Sequence, residues 1–308
     1  MSNLSPLPRR WLRNPQAARH AETIRDILDT PPITPSTNGL VLFAEIGTAK
    51  LLPFLVAIKS LHARLGRGRV ALLDDGTLIG ADRALLAHHC GDPEIIPPAS
   101  NSDTALPDGP AWHALRTMLE RRRTEYWLSL SSDSVTIGPV PEIEQAIALN
   151  ASFLLLGEGT LEGPRPLRDF CRAAYPDGPI DGDVTVQLES RLGEIARPDR
   201  RYVRGDAGLM GFAAGGPGLH FAAASRSDLE QLVGAERMSE PGAAQVAANL
   251  QLSSENRTQF LPRERYRHDG AAGWDQSTSF LRFAGEDRYA DGRYTEASRI
   301  AIEALRRK

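Results

Sequence analysis

The feature that most constrains the fold is an alternation of apolar strands and amphipathic helices that begins at Leu40. The run LVLFAEI is continuous and apolar over the length of one strand, and residues 48–65 then carry apolar side chains at helical spacing. RVALLDD repeats the strand pattern, a helix is predicted over residues 81–88, and GDPEIIPP contains a third short strand. Strands that alternate with helices at this spacing indicate a parallel sheet covered by helices.

The second half of the chain continues this pattern less regularly. Pro141 is predicted to be the first residue of a helix, and further helices are predicted over residues 241–252 and 295–307. GLMGFAAGG and GLHFAAA are interpreted as short strands, and Ser227 with Glu230 as the capping box of a helix. The predicted fold class is therefore α/β, Rossmann-like, with a mixed, mostly parallel sheet flanked by helices.

The chain is predicted to consist of an N-terminal arm and one domain. The arm spans residues 1–38 and contains a short helix over residues 15–28, followed by TPPITPSTNG, whose prolines oppose regular structure. After residue 38 the proline-rich pattern ends and the alternation of strands and helices begins. Residues 39–308 are therefore assigned to a single domain.

Composition excludes several classes of protein. At 41% apolar residues the chain is too hydrophobic to be disordered, and two cysteines are too few for a disulfide scaffold. The longest apolar stretch, residues 39–58, is interrupted by Glu45 and Lys50, so no membrane span is predicted. A net charge of -3 gives no reason to expect nucleic acid as a partner. We expect a cytoplasmic protein.

Polar residues that follow the apolar runs are the candidates for a binding site. In an open parallel sheet, ligands bind beyond the carboxyl ends of the strands. Because these segments converge on one edge of one sheet, their chemistry can act together. The segments are Glu45-Ile46-Gly47-Thr48, Asp74-Asp75-Gly76, Ser131-Ser132-Asp133-Ser134 and Gly205-Asp206-Ala207-Gly208.

Asp133 is the candidate with the most specific predicted role. A carboxylate directly after a buried strand can bind Mg²⁺ or Mn²⁺ that bridges two phosphates, since these ions prefer oxygen ligands. The alternative is an aspartate that caps a turn, with neighbouring serines bonded to the backbone. Composition and spacing leave both interpretations open.

Several motifs, in order along the chain, resemble those of GT-A glycosyltransferases. LSSDSVTIGPVPEI is similar to the strand end of that family that carries D-x-D, and VALLDDGTL is similar to its second-strand element. GDAGLMGF resembles N-x-G-x-x-G-F, AAQVAANL resembles the helix that begins with an acid-Gln pair, and SFLRFAGE lies where many members have H-F-x-G. The resemblance extends over residues 39–300, which is most of the chain.

This resemblance implies a nucleotide-diphosphosugar transferase with a GT-A-like domain. Its nucleotide-binding half would be residues 39–150 and its acceptor half residues 151–308. The implied roles are a metal ligand, Asp133, for Mn or Mg; catalytic residues, Asp206 and Gln245; and nucleotide-binding residues, Glu45, Ile46, Gly47, Asp74, Asp75, Ser131 and Arg282. Arg282, Glu286 and Arg288 form a polar cluster for the diphosphate. The acceptor would be a sugar, a lipid or a protein.

The departures from the family motifs concern the metal site. Ser131 replaces the first acid of D-x-D, Ala244 replaces the acid of the acid-Gln pair, and Asp206 stands for the asparagine of N-x-G. Thr278 and Ser279 stand in the region of the metal-binding histidine. Three outcomes remain open: metal binding by one carboxylate and water, metal-free diphosphate binding by arginines and helix N-termini, or lost activity.

The candidate residues also have purely structural interpretations, and two other functions are alternatives to the transferase hypothesis. Asp74-Asp75-Gly76 is also a common turn sequence, Asp206 also fits a strand edge, and Gln245 also fits a structural position on a helix. A non-catalytic protein that binds nucleotide sugars, or a scaffold, is the second hypothesis. An S-adenosylmethionine-dependent methyltransferase is the third, because FAEIGT resembles a strand that ends in an acidic-x-Gly turn.

Overall fold

A computed structural model describes residues 15–98, 106–157, 159, 161–268 and 273–307. The strands are β1 (Leu40–Ile46), β2 (Arg69–Asp74), β3 (Glu94–Ile96), β4 (Tyr126–Leu130), β5 (Ser134–Thr136), β6 (Phe153–Leu156), β7 (Arg165–Pro166), β8 (Arg201–Tyr202), β9 (Gly205–Phe212), β10 (Gln259–Leu261), β11 (Tyr266–His268) and β12 (Phe280–Arg282). The helices are α1 (Pro15–Thr23), α2 (Leu51–Leu65), α3 (Gly80–Cys90), α4 (Pro110–Arg121), α5 (Pro141–Ala148), α6 (Leu167–Ala174), α7 (Val184–Arg191), α8 (Leu219–Val233), α9 (Pro241–Ser253) and α10 (Arg293–Arg306).

A seven-stranded sheet of order β10-β6-β9-β4-β1-β2-β3 forms the centre of the molecule. Neighbouring strands are parallel except at β9, which is antiparallel to both β4 and β6. The start of β9 therefore lies at the same edge as the carboxyl ends of β1, β2 and β4. The predicted α/β class, with a mixed and mostly parallel sheet flanked by helices, is confirmed.

The side chains of the central strands alternate between two cores. On β1, Leu42 and Ala44 pack into one core, whereas Val41 and Phe43 pack into the other. Helices α2 and α10 contribute to the first core, and α4, α7, α8 and α9 to the second. Because strand side chains point alternately to opposite faces, a continuous apolar run such as LVLFAEI requires cover on both faces.

Helix boundaries follow local chemistry at several points. Pro110, Pro141 and Pro241 each occupy the first turn of a helix, where the missing N–H is not needed. Helix α2 ends at Gly66, whose φ of 64° lies in the left-handed region that favours glycine. The predicted start of a helix at Pro141 is confirmed.

Three local predictions differ from the structure. GLHFAAA is not a strand but the start of α8, because alanine and leucine favour helix and the segment lacks the β-branched residues of a strand. Ser227 therefore lies inside α8 and caps nothing. The predicted helix over residues 15–28 is divided into α1 and a 3₁₀ segment, Arg25–Asp29.

The arm residues that the structure describes pack on the rest of the chain. Ile24 and Ile27 are fully buried in the first core, and the His20 ring stacks on Tyr294 of α10 at 4.1 Å between centroids. Residues 1–14 lie outside the described part, and the division of the chain at residue 39 stays a prediction. Among the described residues, no helix combines the length and apolarity needed to cross a bilayer.

A small three-stranded sheet of order β11-β12-β5 lies beside the main sheet. Strand β5 begins directly after Asp133 and pairs antiparallel with β12, so that Ser134 lies opposite Arg282. This pairing brings a residue near the end of the chain to the carboxyl end of β4. It is the main long-range contact that builds the site.

Candidate functional site

Three adjoining cavities lie along the carboxyl edge of the main sheet. The first has a volume of about 190 Å³, the second about 420 Å³ and the third about 400 Å³. Glu45 lines both the first and the second cavity, and Gln245 and Arg282 line both the second and the third. Shared walls make them one row, and the polar segments predicted from sequence converge on it.

The first cavity lies between the turn after β2 and the start of α4, where His113 and Arg116 face Asp74 and Asp75. Asp74 itself is only 3% exposed. Its carboxylate accepts a hydrogen bond from the Gly76 N–H at 2.8 Å and forms a salt bridge with Arg83. Asp74 therefore takes part in the turn while it also lines the first cavity, and its predicted contact with a nucleotide stays a prediction.

Asp75 is held over the backbone of Gly47. Its Oδ1 accepts hydrogen bonds from the Thr77 N–H at 2.9 Å and the Thr77 hydroxyl at 2.5 Å. A Cβ at Gly47 would lie 2.0 Å from the Asp75 Oδ2, so only glycine admits the carboxylate there. Gly47 therefore contributes to the site because it has no side chain and leaves room for the Asp75 carboxylate.

Ile46 is not among the residues that line the three cavities, and its predicted contact with a nucleotide stays a prediction. Its side chain is fully buried in the first core, and its carbonyl already accepts a hydrogen bond from the Asp75 N–H at 2.9 Å. The preceding residue, Glu45, points to the opposite face of β1 and lines two cavities. Burial raises the pKa of Glu45 above its ordinary value, against the opposing effect of Lys50.

Ser131 to Ser134 form a tight turn between β4 and β5. The Ser131 hydroxyl accepts a hydrogen bond from the Asp133 N–H at 3.3 Å, and the Ser134 hydroxyl donates to the Ser131 carbonyl at 2.7 Å. The Tyr294 hydroxyl donates to the Ser132 carbonyl at 2.9 Å. Ser131 therefore shapes the turn that presents Asp133 to the second cavity.

Two arginines face the Asp133 carboxylate. Its Oδ2 lies 3.7 Å from the Arg282 Nη1 and 3.8 Å from the Arg288 Nη1. The predicted polar cluster of Arg282 and Arg288 is thus placed at Asp133, whereas the side chain of Glu286 lies outside the described part of the structure. Asp133, at 18% side-chain exposure, is a half-buried carboxylate with two fixed cations.

Asp206 lies on the other side of the same arginine. Its Oδ1 accepts hydrogen bonds from the Gly208 N–H at 2.5 Å and the Arg282 Nε–H at 3.2 Å. Its Oδ2 lies 3.6 Å from the His268 Nδ1, and the His268 Nε2 lies 3.0 Å from the Leu156 carbonyl, to which it donates. Two donors, the Gly208 N–H and the Arg282 Nε–H, therefore orient the Asp206 carboxylate at the third cavity.

Gln245 lies on the first turns of α9 and lines the second and third cavities. Its amide Nε2 donates to the Gly205 carbonyl at 2.8 Å, which ties the helix to the start of β9. The adjoining Ala244 also lines the second cavity. Gln245 therefore has a structural bond as well as a position between the two cavities.

The residues at this site do not fit a divalent cation. Within the described ranges, no group of three histidine, cysteine, aspartate or glutamate side chains is arranged to hold a metal ion. The carboxylates of Asp133 and Asp206 already share Arg282. A dication beside Asp133 would lie against two guanidinium groups, which disfavours the predicted metal-ligand role of this residue.

Sequence reasoning missed part of the site. Thr278 and Ser279 are buried at 3% and 0% exposure, and that segment reaches the site through Arg282 instead. His268 lies on a strand of three residues that pairs with β12, and a strand this short gives no clear sequence pattern that would predict a site residue. Lys50, in the second cavity, was noted only as a charge that interrupts an apolar stretch.

Comparisons with known proteins give similarity in structure only. No protein-family model matches the chain, and no curated protein matches it in sequence. The solved structure of the bifunctional glycosyltransferase WbbM is 12% identical, with a TM-score of 0.46, over 90% of this chain and 53% of WbbM. This chain thus spans about half the length of WbbM.

Two further similar structures are shorter enzymes. The galactosyltransferase LgtC, solved with donor and acceptor sugar analogs, is 13% identical, with a TM-score of 0.49, over 84% of this chain and 95% of LgtC. Mouse xyloside xylosyltransferase 1 is 10% identical, with a TM-score of 0.43, over 80% of this chain and 97% of that protein. At this identity the similarity is one of fold.

Proposed function

We propose that the protein is a glycosyltransferase that moves a sugar from a nucleotide-diphosphate donor to an acceptor. The observation that carries the proposal is the row of three cavities, joined through Glu45 and then through Gln245 and Arg282. A sugar nucleotide is a long ligand with three chemically different parts. A row of cavities with carboxylates at one end and a guanidinium in the middle matches this order of base with ribose, diphosphate and sugar.

The nucleoside would occupy the first cavity. Glu45 and Asp75 line it, and a carboxylate there can accept hydrogen bonds from ribose hydroxyls or from a base N–H. Asp75 is fixed by Thr77 and by the close approach of Gly47. A pre-oriented carboxylate loses little conformational entropy when it binds.

The reaction would take place where the second and third cavities meet. Transfer breaks the bond between the anomeric carbon and the diphosphate, so the leaving group must be stabilised as its negative charge develops. Arg282 is positioned for this, and Asp206, on the third cavity, can stabilise positive charge at the anomeric carbon. Gln245 is placed to contact the sugar, and the acceptor hydroxyl would enter through the third cavity.

The proposal keeps two predictions from composition, a cytoplasmic location and partners that do not include nucleic acid. The acceptor is a sugar, a lipid or a protein. The methyltransferase hypothesis rests on FAEIGT, and the glycine of that segment, Gly47, makes room for Asp75. The glycine that prompted that hypothesis is therefore explained within the chain itself.

The first test is ligand binding by thermal shift with UDP, GDP, dTDP, their common sugars and S-adenosylmethionine. A ligand at about 100 times its dissociation constant should stabilise the fold by roughly 2.7 kcal/mol. We expect one nucleotide and its sugar to raise the melting temperature. A response to S-adenosylmethionine alone would contradict the proposal.

The second test separates transfer from mere binding. Asp206→Asn should abolish turnover of the identified donor, measured as release of nucleoside diphosphate, and should leave donor affinity within about tenfold. Asp228→Asn is the matched control, because Asp228 also pairs with an arginine, Arg197, but lies outside the three cavities. Donor binding without turnover in the wild-type protein would instead support a non-catalytic binding protein.

A further inference from the structure

The guanidinium of Arg282 occupies the centre of the site, between two carboxylates. It contacts Asp206 through Nε at 3.2 Å and lies 3.7 Å from the Asp133 Oδ2 through Nη1. We propose that Arg282 takes the place of a divalent metal and binds the diphosphate of the donor directly, so that donor binding requires no metal ion. This inference rests on the proposed function and specifies how the same site holds its donor.

Arg282 is held rigidly on the side away from the cavities. Its Nε–H donates to Asp206, and its Nη1 donates to the carbonyls of Asp133 at 3.2 Å and Phe283 at 3.1 Å. The remaining nitrogen, Nη2, has no hydrogen-bond partner among the described residues, and the side chain lines the second and third cavities. Two N–H donors of a fixed guanidinium are therefore available for phosphate oxygens.

The chain makes room for this side chain. Gly208 lies beside it on β9, and a Cβ there would lie 2.1 Å from the Arg282 Nε and 2.4 Å from its Cδ. The pairing of β12 with β5 fixes the backbone of Arg282 opposite Ser134. The position of the guanidinium is thus determined by the absence of one side chain and by a strand register.

A second arginine, Arg288, adds a positive charge beside Asp133. Arg288 lies 3.8 Å from the Asp133 Oδ2, donates to the Gly285 carbonyl at 3.0 Å and lies 5.1 Å from the Tyr289 ring centroid. Two guanidiniums and two carboxylates have no net charge, which is the sum that a dication and two carboxylates would also give. Arginines can therefore offer a diphosphate the same net charge as a metal site.

The proposal also explains why the donor set does not fit a metal. A dication needs carboxylates that are free to coordinate it, and both Asp133 and Asp206 are engaged by arginine. The N–H groups of a guanidinium can bind diphosphate oxygens directly, without a bridging ion. Ser131 and Ala244, which stand where the family motifs have acids, line the second cavity together with Arg282.

The test measures the affinity of UDP, GDP and dTDP for the full chain by calorimetry, in EDTA and in Mn²⁺. For the nucleotide that binds, we expect dissociation constants that agree within about twofold in the two conditions. Arg282→Met, which keeps an unbranched side chain but removes the guanidinium, should weaken binding in EDTA by about 10- to 100-fold, because a charge-assisted hydrogen bond is lost. Mn²⁺ should restore part of this loss, since, among the described residues, Asp206 then has no arginine partner and Asp133 faces only Arg288.

Two further variants keep the test decisive. Arg282→Lys retains the charge but not the planar guanidinium, and should weaken binding less than Arg282→Met. The lysine variant also provides the test if the methionine variant does not fold. Arg306→Met is the matched control, because Arg306 pairs with Asp26 and Asp29 far from the cavities, and its affinity should be unchanged.

The possible results separate the two proposals. Wild-type binding that requires Mn²⁺ would overturn the inference about Arg282 and leave the proposed function intact. Wild-type affinity in both Arg282 variants would overturn it as well. Binding of none of the three nucleotides in either condition would overturn the proposed function, and the inference with it.

Discussion

Replacing Gly208 by alanine tests whether the space beside β9 sets the position of Arg282. The added Cβ would lie 2.1 Å from the Arg282 Nε, 2.4 Å from its Cδ and 2.6 Å from the Asp206 Oδ1. Favourable contacts between carbon atoms are about 3.5–4.0 Å, so the Arg282 side chain must retreat by more than about 1 Å. That movement breaks the 3.2 Å hydrogen bond from the Arg282 Nε to Asp206.

The size of the effect follows from this contact. Overpacking of this kind costs about 1–3 kcal/mol, and in a chain of this size each kcal/mol lowers the melting temperature by about 2 °C. We therefore expect Gly208→Ala to melt about 2–6 °C below the wild-type protein. Because the guanidinium leaves the second cavity, the affinity for the donor nucleotide should fall at least about tenfold, measured by calorimetry.

A matched glycine provides the control. Among the described residues, no heavy atom lies within 4 Å of a Cβ added at Gly163, so Gly163→Ala should leave both the melting temperature and the affinity unchanged. The refuting result is a Gly208→Ala protein that melts and binds nucleotide like the Gly163→Ala protein. In that case the Arg282 side chain does not need the space that Gly208 provides.

Three other perturbations have defined outcomes. Gly47→Ala should displace the Asp75 carboxylate and weaken nucleotide binding at least about tenfold by calorimetry, whereas an unchanged affinity would remove Asp75 from the site. Burial, and to a smaller extent the charge of Arg288, lower the pKa of His20 to about 4. Protonation of His20 therefore favours the unfolded chain, and the free energy of unfolding should decline by up to about 3 kcal/mol as the pH falls from 6.5 to 4. His20→Phe should flatten that decline in chemical denaturation, and an identical slope would show that other groups cause it. Glu189→Gln weakens the buried bonds of a carboxylate to two tyrosines and an arginine, and should cost about 2 kcal/mol by urea denaturation; a loss below about 0.5 kcal/mol would contradict this.

The elements of the sheet could be predicted from the sequence because their signals are local. The apolar run from Leu40 and the helical spacing after it do not depend on distant contacts. The prediction failed at GLHFAAA, where a short apolar run is ambiguous between strand and helix and alanine decides for helix. The convergence of polar segments on one edge follows from the rule that parallel strands share their carboxyl edge.

The side-chain arrangement at that edge could not be predicted in the same way. Neighbouring residues at a strand end point to opposite faces, so Glu45 lines two cavities whereas Ile46 is buried in the core. Asp74 and Asp75 both line the first cavity, and the carboxylate of each accepts hydrogen bonds within the turn after β2. A shift of one residue in the predicted end of a strand reverses such assignments, and sequence patterns do not fix strand ends that closely.

The contact between Asp206 and Arg282 depends on two pairings that no local pattern contains. Strand β9 must run antiparallel between β4 and β6, which brings Asp206 to the carboxyl edge, and β12 must pair with β5, which brings Arg282 there. Once both pairings form, a half-buried carboxylate and a guanidinium meet, and each reduces the cost of burying the other. The site therefore has its fixed cation before any ligand binds, and the preorganised charge needed to stabilise a departing diphosphate comes from the fold itself.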